Sequence, residues 1–65
     1  VRFVHLDAEH TEDETYANIE ALLPLMVPGG VVAGDDFDFP GVGAAVRRQF
    51  PAAEVRWNKL WWQVI

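Results

Sequence analysis

Three aspartates stand where two predicted strands end. Asp7 closes an apolar run at the start of the chain, and Asp35 and Asp36 follow a second apolar run at residues 31–33. In open α/β sheets, ligands bind beyond the carboxyl ends of the strands. Paired strands lie about 4.8 Å apart, so direct pairing of these two would bring the carboxylates of Asp7 and Asp35 together. Close carboxylates favour a cation or a shared proton, and an oxygen-only set suits Mg²⁺ or Ca²⁺.

A purely structural role explains the later acids equally well. Aspartate is common in turns, and Asp35 and Asp36 stand shortly before Pro40, a residue that suits the first position of a helix. Asp38 fits such a turn better than a ligand role because it lies immediately before that helix start. Spacing alone leaves the metal site and the turn as equal alternatives.

Two histidines lie near the first predicted strand end. His10 follows Asp7 by three residues in the same predicted loop, where it could orient a substrate or act as a general base near neutral pH. Residue type alone favours the alternative, a loop histidine that forms a hydrogen bond to the start of the next helix. His5 lies within the strand, and we predict a packed, hydrogen-bonded core residue.

The first half of the chain predicts a strand followed by a helix. Residues 1–7 are rich in β-branched and aromatic side chains, which are typical of a strand. Apolar residues lie on both faces of this strand, which predicts helices on both sides of the sheet. Thr11 and Glu14 match a capping box at a helix start. Apolar side chains then recur with helical spacing at Tyr16, Ile19, Leu23 and Met26. Pro24 predicts a kink or a tightened last turn, and residues 28–30 end the helix.

The second half predicts a further strand, a helix and two more strands. Residues 31–33 are typical of a fully buried central strand, and Val42, Val46 and Phe50 share one face of a helix that Pro51 ends. Strands are predicted over 54–57 and 60–65, with a hairpin turn at 58–59 between them. The order strand, helix, strand, helix, strand, strand predicts an α/β fold with a parallel sheet and an antiparallel last strand.

Composition limits the classes of partner. The 65 residues carry 10 acidic and 5 basic side chains, a formal charge of −5, and no cysteine, which excludes a disulfide scaffold and cysteine-ligated zinc. A negative chain without a basic cluster is a poor nucleic-acid binder, and no apolar run approaches the roughly 20 residues of a membrane helix. We therefore expect neither nucleic acid nor membrane as partner, and the lack of cysteine and of a targeting signal is compatible with the cytoplasmic location that we expect.

Four stretches together resemble class I S-adenosylmethionine-dependent methyltransferases, and most of all the small-molecule O-methyltransferase branch. They are Phe-Val-His-Leu-Asp-Ala-Glu-His at 3–10, Asn-Ile-Glu-Ala-Leu-Leu-Pro-Leu at 18–25, Pro-Gly-Gly-Val-Val-Ala-Gly-Asp-Asp at 28–36 and Pro-Gly-Val at 40–42. The resemblance covers nearly the whole chain but only the C-terminal half of that Rossmann-like fold. It implies that the four predicted strands are the fourth to seventh of a seven-stranded sheet.

The resemblance also implies a small-molecule substrate and a site for it. In metal-dependent members, an Asp after the fourth strand and an acidic pair after the fifth bind Mg²⁺, and the matching positions here are Asp7, Asp35 and Asp36. Such a metal holds the acceptor hydroxyl and lowers its pKa. Asp7 or His10 would then take the proton.

The sequence departs from the family's pattern at the cofactor site. The Gly-rich loop after the first strand and the acidic ribose-binding residue after the second strand have no match, so no cofactor-binding residue is assigned. We therefore expect residues 1–65 to be the C-terminal part of a methyltransferase domain whose cofactor-binding half precedes Val1. By itself the 65-residue chain is expected to bind S-adenosylmethionine poorly and to be inactive.

Two other interpretations remain. The chain is alternatively a non-catalytic α/β module that self-associates through its open sheet edge and an exposed tryptophan face. A phosphoacceptor domain of the receiver type also clusters acids at strand ends, but it uses a basic residue at a later strand end, and Lys59 falls in the predicted hairpin turn instead.

Overall fold

The computed structural model describes residues 1–6 and 11–65, and the predicted order of elements is confirmed there. In chain order the elements are β1 (Phe3–Leu6), α1 (Glu12–Leu22) with a 3₁₀ turn (Leu23–Leu25), β2 (Val31–Gly34), α2 (Pro40–Gln49), β3 (Glu54–Arg56) and β4 (Leu60–Val64). Neither helix within this part of the chain has the length and hydrophobicity needed to span a bilayer.

The four strands form one mixed sheet in the order β1-β2-β4-β3. Strand β1 pairs directly with β2 in parallel, with Leu6 opposite Gly34. The last strand, β4, lies between β2 and β3 and is antiparallel to both. The predicted antiparallel last strand is therefore confirmed, as is the direct pairing on which the aspartate prediction depends.

Local signals set the limits of α1. The Thr11 hydroxyl accepts the Glu14 amide at 3.2 Å and donates to the Glu14 carboxylate at 2.7 Å, which confirms the predicted cap. Glu12, Asp13 and Glu14 place three acids in the first turn, where they favour the positive end of the helix dipole. Pro24 tightens the end of the helix into a 3₁₀ turn, as predicted, because proline cannot donate the next helical hydrogen bond.

The core lies between the two helices and one face of the sheet. Val42 and Val46 of α2 are fully buried, as their spacing predicts. Strand β2 contributes Val32, and β4 contributes the indole of Trp61, which has a relative exposure of 1%. The buried cluster consists of Ile19, Val32, Val42, Val46, Ala53 and Trp61. One hydrophobic layer thus holds both helices against the sheet.

The opposite face of the sheet is open among the described residues. Phe3 of β1 and Val64 of β4 are 59% and 55% exposed. The predictions of helices on both faces and of a fully buried central strand are therefore wrong for this part of the chain. Strand β2 is central, but only Val32 and Gly34 on its helix-facing side are buried.

Two further sequence predictions are wrong. His5 is exposed rather than packed in the core, because it lies on the open face of β1. The hairpin turn is also shifted: Trp57 and Asn58 are its central residues, with φ of 56° and 53°, and strand β3 ends at Arg56. Asn58 belongs to the turn, as predicted, and asparagine tolerates its positive φ, but Trp57 leaves the predicted strand.

Candidate active site

The described part of the candidate site lies at the edge of the sheet where β1 and β2 end. Asp35 and Asp36 follow Gly34, the last residue of β2. Because β4 runs antiparallel to β2, its first residue lies at this same edge, next to the hairpin turn. The sheet therefore brings the acidic pair and the hairpin together although they are more than 20 residues apart.

Lys59 of the hairpin is bound to Asp36. Its ammonium donates to Asp36 Oδ1 at 3.1 Å, and its carbonyl accepts the Phe37 amide at 2.9 Å. The hydrogen bond and the charge of Asp36 raise the pKa of Lys59 above its ordinary value. Asp36 has a φ of 63°, a conformation that aspartate tolerates better than most residues. The hairpin thus neutralises Asp36, one of the three predicted metal ligands.

His5 lies beside Asp35. The imidazole Nε2 is 3.5 Å from Asp35 Oδ2, and the two side chains are 48% and 42% exposed. A carboxylate next to an imidazole can orient the ring for proton transfer, as in many general-base pairs. Sequence reasoning missed this residue because it assigned His5 to the core. The signal was its position two residues before a predicted strand end.

Asp7 and His10, the residues predicted to be catalytic, lie outside the described residues. The metal role of Asp7 and the base role of either residue therefore stay predictions. Asp38 is exposed and lies just before α2, as the turn interpretation expects. Of the predicted set, the structure brings Asp35 and Asp36 to one edge.

The described side chains do not by themselves make up a Mg²⁺ site. Within residues 1–6 and 11–65, no three acidic, histidine or cysteine side chains come close enough to hold one metal ion. Asp36 Oδ1 already accepts a hydrogen bond from the Lys59 ammonium, which would compete with a metal ion for the same oxygen. Among the described residues, Asp35 lies beside the imidazole of His5, with 3.5 Å between Oδ2 and Nε2. A magnesium site here would need Asp7 and displacement of Lys59.

The described residues do not fit S-adenosylmethionine by themselves. Nucleotide-type cofactors in such sheets are held by a glycine-rich turn between a strand end and a helix start. Gly29 and Gly30 instead precede β2, at its amino end, and Gly41 and Gly43 lie within α2. The described part of the chain therefore places no glycine-rich turn at the carboxyl edge.

The hairpin adds an aromatic ring to this edge. Trp57 is 77% exposed, and the Arg56 guanidinium lies 5.7 Å from the centre of its ring. The Lys59 amide donates to the Arg56 carbonyl at 3.1 Å, which closes a tight turn around Trp57 and Asn58. Sequence reasoning missed this exposed ring because tryptophan is typical of strands rather than of turns.

The sheet order excludes the receiver interpretation. Receiver-type domains have an all-parallel sheet in the order 2-1-3-4-5. Here an antiparallel strand, β4, separates β2 from β3. The Lys59–Asp36 contact therefore belongs to a different fold.

Comparison with known proteins identifies the family. The family model described as "Methyltransferase domain" matches residues 1–37. A solved structure titled as the apo structure of CalS11, a TDP-rhamnose 3′-O-methyltransferase of calicheamicin biosynthesis, is similar with a TM-score of 0.75 and 23% identity over 98% of this chain. The chain spans 31% of that protein's length. No curated protein sequence matches it. The resemblance to class I S-adenosylmethionine-dependent methyltransferases is thus confirmed, and this chain belongs to the methyltransferase domain family.

Proposed function

We propose that the chain is the C-terminal part of an S-adenosylmethionine-dependent methyltransferase that transfers a methyl group to a hydroxyl of a small molecule. The observation that carries this proposal is the match of the family model to residues 1–37, a range that contains β1, α1, β2 and the acidic pair. The fold of the O-methyltransferase neighbour supports it. A sugar hydroxyl is the acceptor class that the neighbour's title suggests.

The carboxyl edge would serve the acceptor rather than the methyl donor. The described residues offer carboxylates, an imidazole and an ammonium there; all three bind hydroxyls, and the carboxylates and the imidazole can take up a proton. His5, whose imidazole lies 3.5 Å from Asp35, would accept the proton of an acceptor hydroxyl. Asp7 and His10 stay proposed members of this site, and the donor would be held by a part of the protein outside this chain.

A Mg²⁺ ion held by Asp7, Asp35 and Asp36 is a subsidiary proposal. Carboxylates are the ligands that this hard cation prefers. When bound, the ion would lower the pKa of an acceptor hydroxyl. Isothermal titration of the complete protein with MgCl₂ tests this without an activity assay: Asp35→Asn should weaken Mg²⁺ binding, whereas Asp38→Asn should not. Equal Mg²⁺ affinities of the two variants would contradict the metal proposal.

The function itself is tested by methyl transfer from radiolabelled S-adenosylmethionine to TDP-rhamnose, with the complete protein that contains this chain. We expect labelled product with the wild type and at least about a hundredfold less with Asp35→Asn, the range that positioned acid–base groups contribute. Asp38→Asn is the matched control, because it removes a neighbouring exposed charge. No transfer to TDP-rhamnose or to simple alcohols and phenols, together with no binding of S-adenosylmethionine, would contradict the proposal.

A further inference from the structure

Trp57 occupies a position that suits glycine or asparagine better. Both central residues of this turn have positive φ, a conformation that favours glycine and asparagine and that is unusual for a bulky side chain. The indole is 77% exposed, so it contributes little to the hydrophobic core. Neither backbone preference nor burial therefore explains a tryptophan at this place.

The surroundings of the ring indicate what it binds. The Arg56 guanidinium lies 5.7 Å from the centre of the indole, whereas the charge of Lys59 is paired with Asp36. Among the described residues, one unpaired cationic side chain thus lies beside an exposed aromatic ring in a chain whose formal charge is −5. An indole face binds the C–H side of a sugar ring, and guanidinium is the side chain best suited to phosphate.

The ring also lies at the edge where chemistry is expected. The hairpin is fixed to the end of β2 by the contact of Lys59 with Asp36 at 3.1 Å and by the Phe37 amide bond to the Lys59 carbonyl at 2.9 Å. A ligand on Trp57 would therefore be adjacent to the carboxyl edge of the sheet. We infer that Trp57 and Arg56 form the subsite that binds the acceptor, and that the acceptor is a sugar ring joined to a phosphate group. This inference rests on the proposed function and names its substrate class.

Variants of the turn separate the ring from the backbone. In the complete protein, Trp57→Gly removes the indole and should weaken binding of TDP-rhamnose about tenfold, the range of one aromatic contact. Trp57→Phe should restore most of that binding. Asn58→Gly is the matched control, since it gives the same turn a glycine without removing a ring, and its affinity should equal that of the wild type. Isothermal titration calorimetry measures each dissociation constant.

A second arm tests the phosphate. Arg56→Met keeps the apolar stem but removes the charge, so it should weaken binding of TDP-rhamnose while leaving binding of methyl rhamnoside, a neutral sugar, unchanged. Thermal unfolding supplies a readout that a structural role would move in the opposite direction. Trp57→Gly should unfold at the same temperature as the wild type or above it, because glycine adopts positive φ without strain.

Several results would overturn the inference. One is that Trp57→Gly binds TDP-rhamnose as tightly as the wild type, and another is that Asn58→Gly loses as much affinity as Trp57→Gly. A lower unfolding temperature of Trp57→Gly would also overturn it, as would a change of oligomeric state in that variant without a change in sugar binding. Failure of the proposed function is distinguishable from these results. If the wild type binds the sugar nucleotide through Trp57 but transfers no methyl group, the methyltransferase proposal fails alone; if it transfers methyl and Trp57→Gly does so equally well, the subsite fails alone.

Discussion

Gly34 has no room for a side chain, because the buried indole of Trp61 lies against it. A Cβ atom at this position would lie 2.7 Å from Trp61 Nε1, closer than real contacts allow. The ring is 1% exposed and cannot swing into solvent. Gly34→Ala should therefore lower the free energy of unfolding by about 1–3 kcal/mol, the usual cost of overpacking a core. Urea denaturation of the 65-residue chain measures the difference.

A double-mutant cycle gives this prediction its control. Trp61→Phe replaces the indole by a smaller ring, and adding Gly34→Ala to that variant should cost clearly less than it costs in the wild type. Full additivity of the two changes would show that the ring is not what excludes the methyl group.

The contact of Lys59 with Asp36 predicts that the chain loses stability at alkaline pH. Its hydrogen bond to Asp36 and the charge of that carboxylate raise the pKa of Lys59, so the folded state holds the proton more tightly than the unfolded state does. The stabilisation is therefore complete below the ordinary lysine pKa and is lost as the pH rises through the raised pKa. We expect the free energy of unfolding of the wild type to fall towards that of Lys59→Met only above about pH 10. Convergence of the two proteins near neutral pH would contradict the assignment.

At the scale of elements, the start of α1 depends on one hydroxyl. Thr11 accepts the Glu14 amide at 3.2 Å, and loss of such a cap costs about 0.5–2 kcal/mol. Thr11→Ala should lower the free energy of unfolding by that amount, as measured by urea denaturation. Thr11→Ser, which keeps the oxygen, should lie within a few tenths of a kcal/mol of the wild type. Equal losses in both variants would locate the effect in the methyl group instead.

The elements that sequence predicts best are those set by neighbours along the chain. The cap at Thr11, the tightened turn at Pro24 and the buried stripe of α2 each depend on contacts three or four residues apart, and each is confirmed. The placement of Asp35 and Asp36 at a sheet edge follows from strand order alone.

The hairpin required long-range information that the local pattern lacks. Trp61 is buried against Gly34, and a slip of one residue would turn its indole to the open face. Pairing of Val55 with Trp61 then leaves residues 57–59 as the turn, with Trp57 and Asn58 at its centre, whatever the strand preference of tryptophan. The contact of Lys59 with Asp36 depends on the same register. His5 was misassigned because both faces of its strand are apolar, and only the helix packing decides which face is buried.

At the scale of the whole molecule, we expect the cofactor site to lie outside this chain, whereas the proposed acceptor site lies at the carboxyl edge of its sheet. The described residues place no glycine-rich turn at the carboxyl edge, so the 65-residue chain alone should bind S-adenosylmethionine far more weakly than the complete protein. Isothermal titration of both with the cofactor tests this expectation. Comparable affinities would show that this chain carries the cofactor site itself.

The open sheet face governs how the isolated chain behaves in solution. Phe3 is 59% exposed on that face, and β1 is an edge strand among the described residues. Exposed apolar faces and unpaired edges favour association. We expect the 65-residue chain to form concentration-dependent dimers or larger species in sedimentation experiments, and Phe3→Lys to shift them towards monomer.

Leu25→Lys tests whether association depends on the open face of the sheet or on any exposed apolar side chain. Leu25 is 64% exposed, slightly more than Phe3, but it lies in the 3₁₀ turn after α1 rather than on the sheet. The two variants add the same charge, so a reduction of association by both would reflect charge repulsion alone. A reduction by Phe3→Lys only would locate the contact on the open face. Because that face lacks a helix layer among the described residues, the same contact would compete with whatever covers the sheet in the complete protein, and self-association should disappear there.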